Sequence, residues 1–128
     1  MDNPTDLRYT DDHEWIRLNG STARVGITDH AQKQLGDIVF FEAPQLGKSL
    51  DAGEEFGAVE SVKAWNSLYM PVTGEVVRVN DAAKDSPELL NEEPYGDGWL
   101  IEIRCRDSAA VDKLMTAQQY EAYITPEE

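Results

Sequence analysis

The segment Gly36-Asp37-Ile38-Val39-Phe40-Phe41 returns as Gly74-Glu75-Val76-Val77-Arg78-Val79, displaced by 38 positions, and the same displacement carries Glu54-Glu55 onto Glu92-Glu93. Each copy reads as a glycine, an acid, a β-branched strand, a connection containing Pro or Asp, and a second turn before another strand. In a chain of 128 residues this predicts two related β units packed on each other within one domain, residues 1–128. Short Val- and Ile-rich segments after a Gly-acid turn are also common by chance.

The flanking sequence extends the β core. Glu14 to Leu18 alternates, Asn19-Gly20 predicts a hairpin turn, and Thr22 to Ile27 returns, giving an N-terminal hairpin. Thr28 or Asp29 can cap a short helix over His30 to Leu35, with Gly36 ending it where a left-handed residue costs least. Near the other end, Asp107 or Ser108 can cap a helix over Ala109 to Thr116, on which Val111, Leu114 and Met115 fall at helical spacing. A second helix is expected near Gln118 to Tyr123, and Pro126-Glu127-Glu128 is expected to fray. These two segments form a C-terminal helical extension.

Charge narrows the function. With 25 Asp and Glu against 11 Lys and Arg, a net charge of −14 opposes approach to nucleic-acid phosphates or anionic lipid and favours protein partners with basic surfaces. No apolar run approaches the roughly 18 residues of a membrane span. The opening Met1 to Asp6 has neither an apolar signal core nor an Arg-rich transit pattern, so a cytoplasmic location is expected. Cys105 is the single cysteine. The polypeptide alone therefore supplies no dithiol chemistry; any such chemistry needs an added group. Cys105 itself reads as a small strand residue.

Lys63 stands out against this acidic background. The pattern places Phe56 to Val62 on one strand, Lys63-Ala64 at the turn, Trp65 to Met70 on the returning strand and Pro71 to Gly74 in a further turn. An isolated lysine at a hairpin tip is ordinarily a solvated surface residue. The same placement also meets what a covalent carrier needs: a long stem, an accessible amine and a rigid base that limits the reach of the arm.

Ordered motifs add a resemblance. His13-Glu14-Trp15, Gly26-Ile27-Thr28-Asp29-His30-Ala31-Gln32 with Leu35-Gly36-Asp37, Gly57-Ala58-Val59-Glu60-Ser61-Val62-Lys63-Ala64, and Gly74-Glu75-Val76 with Val79-Asn80 follow one another along the chain. Pro87 to Asn91, Pro94-Tyr95 and Asp97-Gly98-Trp99-Leu100 complete the set. Together they resemble the H protein of the glycine cleavage system, a lipoyl carrier family, nearly end to end. The resemblance implies a mainly β fold, the lipoyl and biotinyl carrier barrel-sandwich hybrid of two small antiparallel sheets, with short peripheral helices. Its approximate twofold symmetry would account for the 38-residue repeat.

By the same resemblance, Lys63 is the attachment site of lipoic acid, held as N6-lipoyllysine. The amide removes the lysine charge and adds the dithiolane that the polypeptide lacks. The implied partners are a pyridoxal-phosphate glycine decarboxylase, a tetrahydrofolate-dependent aminomethyltransferase, a flavin-dependent dihydrolipoyl dehydrogenase and the enzyme that attaches lipoate. The carrier catalyses none of their reactions and is expected to be a monomer. Carriers of this family are thought to park the loaded arm in a cleft that excludes water, and Glu14 is the candidate for a polar contact to its amine. A solvated carboxylate at a strand start is the competing reading of Glu14. Asn66 and Ser67 offer hydrogen bonds but no charge, where relatives often have an acid.

Other constellations carry less. His13 and His30, beside Asp11, Asp12 and Asp29, lack the spacing of a metal site, and no metal is expected. No Ser or Cys nucleophile is arranged with them. Trp15, Trp65 and Trp99 read as core or rim aromatics, with Trp65 placed to support the lysine turn. Three alternatives stand beside the leading reading: another covalent carrier, a relay protein donating lipoyl groups to other enzymes, and an unmodified interaction module. Biotinyl carriers commonly flank their lysine with methionines, whereas Val62 and Ala64 stand here.

Overall fold

The computed structural model describes residues 3–124; the fraying expected of Pro126 to Glu128 falls outside them. The chain opens with β1 (Arg8–Tyr9), β2 (Glu14–Asn19) and β3 (Thr22–Ile27), then α1 (Asp29–Leu35). There follow β4 (Ile38–Glu42), β5 (Ser49–Leu50), β6 (Glu55–Ser61), β7 (Trp65–Tyr69) and β8 (Gly74–Val79). Two short helices, α2 (Asp81–Asp85) and α3 (Leu89–Glu92), lead to β9 (Ile101–Cys105), a 3-10 helix (Ser108–Lys113) and α4 (Ala117–Ile124). The strands form two antiparallel sheets, one of six in the order β1-β2-β3-β9-β8-β5 and one of three in the order β4-β6-β7. This is the mainly β, two-sheet architecture with short helices that the motifs imply.

The repeat has a structural counterpart. Its first copy supplies β4, paired with β6, and its second supplies β8, paired with β9. Register shifts between Ile38 and Phe40 in one pair and between Val76 and Arg78 in the other, the same step of the repeat in both copies. An extra residue at that step bends and twists each strand alike. The correspondence stops at the acidic pairs, because Glu55 opens β6 whereas Glu92 ends α3 and Glu93 caps it. The second connection is helical because Asn80 accepts the Ala82 amide and donates to the carbonyls of Asp97 and Trp99, clamping a short helical crossing.

Two local expectations are corrected. The first hairpin turns at Gly20-Ser21, with Asn19 still paired to Thr22 in the ladder. Gly20, at φ 68°, takes the left-handed position that a two-residue turn requires. The helix expected over Ala109 to Thr116 is a 3-10 helix that Asp107 caps and that ends at Lys113. Its continuation is pre-empted because Met115 exchanges both backbone hydrogen bonds with Tyr9, at 2.9 and 3.0 Å, and so must be extended. The last helix, α4, lies where expected, a little longer at each end.

The main core fills the space between the sheets, with Val25, Val59, Val76, Ile101 and Ile103 wholly buried and Phe41 nearly so. Each such side chain contributes about 1.5–3 kcal/mol through removal from water. A second cluster, including Leu7, Tyr9, Trp15, Trp99 and Tyr120, docks the C-terminal helix. There Tyr120 stacks on Tyr9 with centroids 4.7 Å apart, and its hydroxyl lies 2.8 Å from Thr28 Oγ1 and 2.9 Å from His13 Nδ1. Trp15 Nε1 donates to the Pro94 carbonyl at 2.8 Å.

Candidate functional site

The β6–β7 hairpin presents Lys63 at its tip. Its central residues are Val62 and Lys63, one position earlier than the Lys63-Ala64 turn read from the pattern, because the Ser61 amide donates to the Ala64 carbonyl at 2.8 Å. Two-residue hairpins favour turns with positive φ, which match strand twist. Neither Val62 nor Lys63 has positive φ. The Ser61 side chain compensates: its Oγ accepts the amides of Lys63 and Ala64, each at 3.1 Å, and lies 3.3 Å from the Ala64 carbonyl. The Val62 amide donates to the Asp37 carbonyl at 3.0 Å, fastening the tip to the start of β4. All four turn amides thus have acceptors.

That side chain is exposed and runs over Gly36, where a Cβ would stand 3.4 Å from Lys63 Cε. Gly36 ends α1 at φ 77°, a left-handed conformation that favours glycine. Lys63 Nζ has one long contact, 3.4 Å to the Gln34 carbonyl at the end of α1. At that length and exposure it restrains the amine little. Asn91 sets the floor beneath: its Nδ2 donates to Gln32 Oε1 and the Gly36 carbonyl, both at 2.9 Å, while its Oδ1 accepts the Ile38 amide at 2.9 Å. Sequence reasoning assigned no role to Ser61 or Asn91. A small hydroxyl two positions before a turn lysine is a local signal for a side-chain-stabilised turn. Asn91 gives no such signal, since its partners lie more than 50 positions away in the chain.

Glu14, at the start of β2, is only 1% exposed, so it is not a solvated surface carboxylate. Its Oε2 accepts the Tyr69 amide at 2.7 Å, joining the large sheet to the far end of β7. Its Oε1 is buried without a hydrogen-bond partner among the described residues. Burial is the main cause that holds this carboxyl well above its ordinary pKa; the Tyr69 amide opposes the shift, and Asp12 and Asp11 add to it. Four residue steps lead from Trp65 to Tyr69 along β7, about 13 Å at the usual rise of a strand. Lys63 at one end of β7 and Glu14, hydrogen-bonded to its other end from β2, are therefore distant groups linked through that strand. A lysine lengthened by a lipoyl chain spans a distance of the same order.

The remaining residues singled out in the sequence lie elsewhere. His13 and His30 bring their rings to 5.0 Å, and burial, followed by the charge of His30, lowers the His13 pKa. No group of three or more His, Cys, Asp or Glu side chains suited to a metal converges among the described residues. Cys105 is buried and its thiol pKa is pushed up by burial. Asn66 is exposed and Ser67 half-buried on β7. The Trp65 ring lies against Phe40, 6.4 Å away.

The chain matches the family model described as "Glycine cleavage H-protein" over residues 7–127. A glycine cleavage system H protein of Chromohalobacter salexigens is 51% identical over 126 residues, covering 98% of this chain and 96% of the relative. That of Geobacillus kaustophilus is 52% identical over 124 residues, covering 97% and 98%. The crystal structure of a glycine cleavage system H protein from Mycobacterium marinum superimposes with a TM-score of 0.86 at 42% identity, over 94% of this chain and 98% of that one. A shared fold, nearly full-length coverage and identity at this level lead to one conclusion: the chain belongs to the glycine cleavage H-protein family.

Proposed function

We propose that this chain, as a single domain, is the lipoyl carrier of the glycine cleavage system, with lipoate joined by an amide to Lys63. The observation that carries the assignment is the lysine turn, whose backbone amides are all satisfied by Ser61, Ala64 and Asp37 while the lysine side chain is left exposed. The amine stands exposed on a fixed base, so among the described residues acylation disturbs no hydrogen bond beyond the long contact to Gln34. The residues present thus fit the group. When attached, the dithiolane accepts the aminomethyl unit and electrons, chemistry that the single buried Cys105 does not supply.

The chain's own part is to anchor, orient and shelter. Tethering confines the reactive end to a small volume and replaces diffusion between enzymes. The partners this requires are glycine decarboxylase, aminomethyltransferase, dihydrolipoyl dehydrogenase and a lipoate-attaching enzyme. The carrier performs no catalysis of its own and works in the cytoplasm. No helix among the described residues is long and apolar enough to cross a membrane.

Glu14 is the polar contact for the amine of the loaded arm. Its support is the buried Oε1, which has no partner among the described residues and would pair with an arriving amine. Glu14→Ala is expected to shorten the lifetime of the loaded carrier without blocking lipoate attachment; equal lifetimes would remove Glu14 from the site.

The assignment of Lys63 is tested by intact and peptide mass spectrometry after incubation with lipoate, ATP and a lipoate ligase, beside Lys63→Arg. One lipoyl addition on Lys63, absent from the variant, is expected, followed by activity in reconstituted glycine cleavage. No addition under conditions that modify a control carrier would point instead to an unmodified interaction module. Modification without glycine cleavage activity would favour a relay of lipoyl groups to other enzymes.

A further inference from the structure

Phe40, Glu60 and Trp65 stand side by side across the three-stranded sheet, Phe40 paired with Glu60 and Glu60 with Trp65. They face away from the core, since their strand neighbours Phe41 and Val59 are 2% and 0% exposed. The two rings stay 46% and 50% exposed and stack against each other. Val39 in the β4 bulge and Val62 beside Lys63 are 52% and 67% exposed. These four account for most of the large apolar side chains left in water among the described residues, and they gather around one lysine. Scattered surface apolar residues need no explanation, but a contiguous aromatic patch marks an interaction surface. Exposed Glu42 and Glu60 lie on the same strands, and exposed Asp37 immediately precedes β4.

We infer that this aromatic patch is the docking surface for the enzyme that acylates Lys63, which meets it with an apolar pocket rimmed by Lys or Arg. The inference rests on the reading of Lys63 as the lipoylated residue. Reach decides among the partners. In acylation, Lys63 Nζ forms the amide with an activated lipoyl carbonyl, the activating group leaves, and the amine proton passes to solvent. The attaching enzyme must bring that carbonyl to within one lysine side chain of the hairpin, so its surface covers Val62, Trp65 and Phe40. Enzymes that act on the far end of the arm are under no such requirement. The charge pattern agrees, because acids border the patch on a chain of net charge −14.

The test uses the full chain, a lipoate ligase, lipoate and ATP, with initial rates of Lys63 acylation measured for wild type and a Phe40→Ser, Trp65→Ser double variant. Loss of two anchor aromatics is expected to lower kcat/KM for the carrier by about tenfold or more, through KM, with kcat within about twofold. Glu60→Lys, which changes only an exposed charge and guards against misfolding of the double variant, is expected to raise KM and weaken its dependence on salt. Once fully loaded by excess ligase, the double variant is expected to support glycine cleavage as wild type does. Wild-type acylation kinetics in both variants would overturn the docking surface while leaving Lys63 as the modified residue. A loaded double variant that fails in glycine cleavage to the same degree would overturn the assignment to the attaching enzyme. Failure of wild type to be acylated at Lys63 would overturn both readings.

Discussion

The hydroxyl of Ser61 holds the backbone of Lys63: its Oγ accepts the Lys63 amide at 3.1 Å and, at the same distance, that of Ala64. Ser61 is 5% exposed and these bonds are partly buried, so removing the hydroxyl leaves two amides only partly solvated. Ser61→Ala is expected to cost about 1–3 kcal/mol and to slow lipoylation by loosening the anchor. Urea denaturation and the initial rate of lipoyl transfer measure the two effects. A variant with wild-type stability and rate would show that Ser61 is dispensable to the turn.

Asn91 makes three hydrogen bonds, tying α1, Gly36 and the start of β4 beneath the lysine stem. Asn91→Ala strands the Ile38 amide and the Gly36 carbonyl together. The expected loss is about 2 kcal/mol, seen as a lower urea midpoint with an unchanged m-value. A changed m-value would mean that the variant alters the compactness of one of the states.

Trp99 is 8% exposed, with the guanidinium carbons of Arg24 and Arg78 at 4.6 and 5.3 Å from its ring. Trp99→Ala should cost about 3–5 kcal/mol by core truncation, and Trp99→Phe should cost less because a ring remains beneath the two cations. An unchanged melting curve for the alanine variant would place Trp99 at the periphery.

Glu14 titrates above its ordinary value of 4.5, chiefly because it is buried. A carboxyl whose folded pKa is raised gives its full contribution below its unfolded pKa and loses it as pH rises through the folded pKa. Glu14→Gln keeps an acceptor for the Tyr69 amide and removes the titration. Wild type should therefore lose stability relative to Glu14→Gln as pH rises from about 4.5 toward neutral. Parallel stability curves for the two proteins across that range would show that Glu14 ionises normally in the fold.

The parts legible in the sequence are those set by neighbouring residues. Strand alternation, the Thr28 cap and the Gly36 stop place β2, β3 and α1, and the repeated Gly-acid step places β4 and β8. The misplaced parts are those set by distant partners. Val111, Leu114 and Met115 keep helical spacing, yet pairing of Met115 with Tyr9 ends the helical run at Lys113. The hairpin that carries Lys63 is legible from its two strands, with its turn one position earlier than the pattern indicates. The long-range contacts of Asn91 and the burial of Glu14 against Tyr69 are properties of the assembled sheets.

The matched bulges at Ile38/Phe40 and Val76/Arg78 also have a mechanical consequence. A plain two-stranded ladder can slide by two residues and keep every side chain on its own face, carrying its hairpin tip about 6.6 Å along the strand. An extra residue in β4 acts as a pawl against that slide, since a shifted β6 would meet the bulge at the wrong step. The position of the Lys63 tip relative to both sheets is thereby fixed by the ladder. Sequence drift in the tip can alter what a partner meets there while the base of the hairpin stays put.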